Sequence, residues 1–147
     1  MKRNLLTLLS VVVVSAAGMA SAQSVTYTLC AACHGPDGKG IGAGTPTAMA
    51  PPLAGSVIAT HGDGELLASI IFTGIAKEDA KYLGVMAPLG AMAKDEELAE
   101  IISFVRKSFG NEAPPVDAEK VKGWREKYNG KPMQRRADIE AAVKKTE

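Results

Sequence analysis

Cysteine and histidine are scarce in this chain, two of each, and three of those four residues fall within the five positions Cys30-Ala-Ala-Cys33-His34. Little else in the sequence constrains the fold so tightly. A disulfide between Cys30 and Cys33 would close a loop too short to restrict the unfolded chain. A thioredoxin-like dithiol has the same spacing, but it sits between the strand and helix of a βαβ unit. Here a Gly- and Pro-rich stretch follows instead, "GPDGKGIGAGTPTAMAPPLAG". A zinc site needs four ligands, and the chain offers one more histidine, His61, and no other cysteine.

What remains is C-x-x-C-H, the attachment signal for haem c. Two thiols three positions apart at the end of a short helix lie along one side, each able to form a thioether with one haem vinyl group. His34, the next residue, then reaches the iron. The motif occurs once, so one covalently bound haem per chain is expected.

Lys2 and Arg3, then the apolar run "LLTLLSVVVVSAA", then small residues at Ala20 and Ala22, read as a cleavable export leader over 1–22. The run is shorter than the roughly 20 residues of a membrane-spanning helix, so a periplasmic chain without a span is expected after cleavage. Without the leader, 15 basic residues face 16 acidic ones. The cationic runs "KPMQRR" and "KK" are interleaved with acids, which excludes the basic face that nucleic acid requires.

The remaining pattern is helical. From Asp95 onward Leu98, Ile101, Ile102, Val105 and Phe109 recur at helical spacing, with acids in the first turn, Arg106 and Lys107 in the last, and Gly110 as the stop. "DGELLASIIFTG" predicts a second helix with Asp63 as N-cap, Leu66, Leu67, Ile70 and Ile71 as its apolar face, and Gly74 as its end. A shorter helix precedes Cys30. Strand-like alternation is missing. So few helices around so much loop imply a thin core that a large apolar macrocycle would fill, and a largely unfolded apo chain. Composition changes after Asn111: "EAPPVD" reads as a linker, and 112–147 as a short helical extension with Val121, Trp124 and Tyr128 on one face.

"CAACHGPDGKG", then "APPLAGS", "GVMAPLG" and "DEELAEIISFVRKSFGN", in that order over about Ser24 to Asn111, resemble a class I bacterial c-type cytochrome. The resemblance implies an all-α cytochrome c domain over 23–111, in which helices wrap one haem and an N-terminal helix ending at the motif crosses a C-terminal one. Its implied function is single-electron transfer, without catalysis, between a dehydrogenase or quinol-oxidising complex and a terminal oxidase or reductase. It places the second axial ligand at Met86, where Gly84 and Pro88 bend the loop, although Ala87 stands where the family often has proline. It also makes the Pro51 carbonyl the acceptor for His34 and makes Leu53 a haem-packing residue. The extension resembles those of cytochromes that serve periplasmic dehydrogenases, which hints at such a partner; the preferred reading is the plainer one, that it packs back on the haem domain and covers apolar surface.

Other readings stay open beside these. Met86 also suits ordinary core filling, Met92 and His61 are rival ligands, and Tyr82 is either a partner of a haem propionate or a structural tyrosine. An iron that neither a methionine nor a second histidine closed would instead belong to a haem enzyme or a gas-binding sensor.

Overall fold

A computed structural model of the chain describes residues 27–77 and 82–145; the expected leader, 1–22, lies outside them. The elements are α1 (Thr28–His34), α2 (Val57–Thr60), α3 (Glu65–Thr73), a 3-10 turn (Gly90–Met92), α4 (Asp95–Lys107), α5 (Ala118–Tyr128) and α6 (Arg136–Lys144). The fold is all-α. Among the described residues, isolated strand bridges occur only at Ile75, antiparallel to Met86 and parallel to Gln134. No helix among them is long and apolar enough to cross a membrane.

The stripe read from Asp95 onward forms α4, the longest helix among the described residues. Its N-terminus is closed by the Glu97 carboxylate, which accepts the Lys94 N–H at 2.8 Å, and Leu98, Ile101, Ile102 and Val105 are all buried. Phe109 does not continue the stripe. The helix stops at Lys107, and Phe109 adopts φ 61°, which turns its ring onto Tyr27 and Phe104 at centroid distances of 5.3 and 5.5 Å. Tyr27 lies 5.0 Å from Phe104 and completes the cluster. A left-handed residue costs about 1–2 kcal/mol, and the contacts of the half-buried Phe109 ring with Tyr27 and Phe104, each worth about 0.5–1.5 kcal/mol, offset that cost. Through Tyr27 the start of α1 is held against α4.

Helix α3 begins one residue later than expected. Its N-cap is Gly64 at φ 103°, a conformation open to glycine, while Asp63 Oδ1 still accepts the Glu65 N–H at 3.1 Å. From Leu67 to Thr73 the helix is buried on every side. Neighbours therefore cover the face opposite the expected one, and α5 is the chief of them.

The core continues past residue 111. Val116, Val121 and Trp124 belong to the same buried cluster as Leu67, Ile71, Phe72, Leu98 and Ile102, and α5 packs on both α3 and α4. The stretch read as a linker is tied down as well: Ser103 Oγ accepts the Val116 N–H at 2.9 Å and donates to the Val116 carbonyl at 3.1 Å. The core is thus thicker than few helices and much loop had implied, because the extension supplies part of it.

Candidate functional site

The site starts at α1, whose last residues carry Cys30, Cys33 and His34. The Tyr27 hydroxyl donates to the Gly35 carbonyl at 2.9 Å, which fixes the end of the helix. Burial, then the nearby Cys30, push that hydroxyl up to about 12, so it remains a donor. Both cysteines are half-buried free thiols. Burial, and secondarily Cys33, push Cys30 up to about 11, the opposite of the lowered thiol of a dithiol oxidoreductase.

After Gly35 the chain doubles back. The Gly40 N–H donates to the His34 carbonyl at 2.8 Å, the Ile41 N–H to the Cys33 carbonyl at 3.0 Å, and the Leu53 N–H to the Gly38 carbonyl at 2.7 Å. Gly40 sits at φ 89°, and a Cβ there would lie 2.5 Å from the Ala50 carbonyl oxygen. The two limbs of the loop approach this closely because residue 40 is glycine, and their approach brings the Pro51 carbonyl to 3.0 Å from His34 Nδ1. A carbonyl only accepts, so Nδ1 carries the proton and Nε2 keeps its lone pair for a metal. Burial, opposed by this bond, lowers the His34 pKa, which also favours a neutral imidazole.

Met86 is placed from α3. The Ile75 N–H donates to the Met86 carbonyl at 2.8 Å, and the Leu89 N–H donates to the Ile71 carbonyl at 2.8 Å, so both ends of the loop hang from the end of one buried helix. Gly74, at φ 72°, permits the contact, since a Cβ there would collide with the Met86 carbonyl. On its other side the loop is tied to the approach to Pro51, through Leu83 N–H to Ala48 (2.8 Å) and Gly84 N–H to Met49 (2.9 Å). Met86, Leu53 and Cys30 all pack against the same buried cluster.

The rival ligands are placed differently. Met92 is 64% exposed. His61 ends α2, and its carbonyl accepts from Arg106 at 3.2 Å. Tyr82 lines a small cleft with Met86, Gly84, Ile75 and Lys77, and the Arg136 guanidinium stands 5.2 Å from its ring centroid.

Several residues that shape the site carried no recognisable sequence signal. Asn111, read only as a boundary, donates its side-chain amide to the carbonyls of Leu53 (2.9 Å) and Val105 (2.8 Å), fixing Leu53 to the end of α4. Arg106, read as a cation complementing the helix dipole, is 0% exposed. Its guanidinium donates to the carbonyls of Pro114 (2.8 Å), Ala59 (3.1 Å), His61 (3.2 Å) and Gly62 (2.9 Å). Gln134 and Arg125, both in the extension, bond to the segments on either side of Met86. None of these four belongs to a recurrent motif, and their partners are mostly backbone carbonyls and hydroxyls, with the Asp95 carboxylate for Arg125.

The donor set fits a haem c: paired thiols for thioethers, a neutral oriented imidazole, a thioether-bearing loop, and an apolar cluster against which Cys30, Leu53 and Met86 all pack. A family model described as Cytochrome c matches residues 19–109. The "Alcohol dehydrogenase (quinone), cytochrome c subunit" of Gluconobacter oxydans (strain 621H) is 35% identical over 88 residues, which is 58% of this chain and 17% of that protein. Subunits of the same description from Gluconacetobacter polyoxogenes and Komagataeibacter europaeus are each 28% identical over 88 residues, covering 58% of this chain and 18% of each of them. The chain spans less than a fifth of the length of these relatives.

Proposed function

The chain belongs to the cytochrome c family, and we propose that it is an exported, periplasmic one-electron carrier whose covalently bound haem c lies between His34 and Met86. The haem supplies an iron that gains and loses one electron at a potential set by its ligands and surroundings. In this reading Cys30 and Cys33 hold the group and His34 presents Nε2 to it. The Pro51 carbonyl holds the imidazole ring and raises its basicity. Leu53 excludes water from one edge, and Tyr82 donates to a propionate.

The observation that carries the reading is the suspension of the Met86 loop from α3 at Ile75 and Leu89, with Met86 against the same apolar cluster as Cys30. A methionine held there would supply a thioether ligand to the bound haem and would close its iron to substrates, which favours a carrier over an enzyme or sensor. The similarity to dehydrogenase subunits supports a dehydrogenase or quinol-oxidising complex as electron donor, with a terminal oxidase or reductase as acceptor. Exposing the reduced protein to carbon monoxide tests the choice: a carrier stays unligated, and rapid binding would favour the sensor or enzyme.

A further inference from the structure

Two residues of the C-terminal extension bracket the Met86 loop. Before the loop, the Gln134 N–H donates to the Gly74 carbonyl at 3.1 Å, and the Ala76 N–H donates to the Gln134 carbonyl at 2.9 Å. Ile75 is thereby bridged to Met86 and to Gln134. The Gln134 side-chain amide donates to Ser69 Oγ (3.1 Å) and Thr73 Oγ1 (2.9 Å), two buried residues of α3. After the loop, Arg125 donates to the Gly90 carbonyl, to the Ala93 carbonyl at 2.8 Å and to Asp95 Oδ1 at 2.6 Å. Its guanidinium lies 5.1 Å from the Phe72 ring centroid. Neither side chain bonds to Met86: that of Gln134 acts through the hydroxyls of Ser69 and Thr73 on α3, to which its main chain adds the bonds at Gly74 and Ala76, and that of Arg125 acts through the Gly90 and Ala93 carbonyls.

We propose that the extension is a clamp on the Met86 loop, with Gln134 and Arg125 as positioning residues that set how often the methionine leaves the iron. The inference rests on Met86 being an axial ligand. Segments tied by a few hydrogen bonds open locally far below the free energy of global unfolding. The bonds made by Gln134 and Arg125 raise the cost of that opening without adding a ligand. The extension therefore keeps the iron closed to small molecules, beyond its part in the core.

Holoprotein carrying Gln134→Ala or Arg125→Leu tests this against Val121→Ala, which weakens the packing of α5 and leaves both sets of bonds in place. Three readouts apply: amide hydrogen exchange at Ile75 and Leu89, the sulfur-to-ferric-iron absorption, and the rate of carbon monoxide binding to reduced protein. Each clamp variant should exchange faster at Ile75 or Leu89 and bind carbon monoxide about tenfold faster or more, as the loss of two side-chain hydrogen bonds in Gln134→Ala, or of three in Arg125→Leu, biasing one equilibrium produces. Val121→Ala should leave the binding rate near that of the wild type. Wild-type rates in both clamp variants, or an equal rise in Val121→Ala, would overturn the clamp. Met86→Ala separates the two readings. If it keeps the absorption, the ligand assignment fails and the clamp fails with it; if it loses the absorption while the clamp variants match wild type, only the clamp fails.

Discussion

His34 Nδ1 lies 3.0 Å from the carbonyl oxygen of Pro51, a residue 17 positions further along the chain. The bond is made by backbone, so substituting the proline side chain is a poor probe of it. Gly40 is a better one, because its close approach to Ala50 sets where that strand of loop runs.

Gly40→Ala should destabilise the protein by roughly 2 kcal/mol, through a side chain at positive φ and displaced backbone. The weakened bond makes the imidazole less basic, which disfavours ferric iron. The potential should rise by roughly 40 mV, the equivalent of about one hydrogen bond on a one-electron couple. Potentiometry beside thermal melting checks both, and a melting loss with an unmoved potential would show that the Pro51 carbonyl does not tune the iron.

Arg106 satisfies four carbonyls, three from the remote segment 59–62 and one from Pro114, with one buried guanidinium. Arg106→Ala should cost roughly 3–5 kcal/mol in urea unfolding of the holoprotein, since several buried acceptors are left unpaired together. Arg106→Lys should recover little of that, because an ammonium lacks the planar fork that reaches all four.

Val121 is 0% exposed in the cluster shared by α3, α4 and α5. Val121→Ala should cost about 2–3 kcal/mol from lost apolar burial and the cavity left behind. The loss should appear as one shifted transition. A separate early transition confined to the extension would show that it folds apart from the rest.

The docking of α5 on α3 should weaken in acid. Glu65 accepts from Lys127 Nζ at 2.6 Å and from the Tyr128 hydroxyl at 2.7 Å, and the bonds to Lys127 and then Tyr128 hold its carboxyl below the usual 4.5. A carboxyl lowered in the folded state adds stability above its unfolded value and loses it as pH falls through the folded one. Stability should therefore decline from about pH 4.5 downward. Glu65→Gln should flatten that decline modestly, since the pair is partly exposed and screened. Equal slopes in the two proteins would remove Glu65 from the acid response.

Local signals made much of this molecule legible. The motif at Cys30, Cys33 and His34 is short and contiguous, and the stripe from Leu98 to Val105 follows one helical period, so both could be read without tertiary knowledge. The end of α4 could not be, because Phe109 answers to Tyr27 and Phe104 rather than to its own helix. Arg106 looked like an ordinary last-turn cation, and nothing local marks the four carbonyls that bury it. Gln134 and Met86 meet through Ile75, about sixty residues from one and about ten from the other, and no periodicity records such a pairing.

The central claim, that Met86 closes the iron of an electron carrier, is tested most directly by carbon monoxide binding to reduced Met86→Ala holoprotein beside wild type, Met92→Ala and His61→Ala. Haem should remain attached in all four, because attachment depends on Cys30 and Cys33. Met86→Ala alone should bind carbon monoxide readily and lose the sulfur-to-ferric-iron absorption. Ready binding by the wild type, or an iron opened by His61→Ala and not by Met86→Ala, would contradict the account.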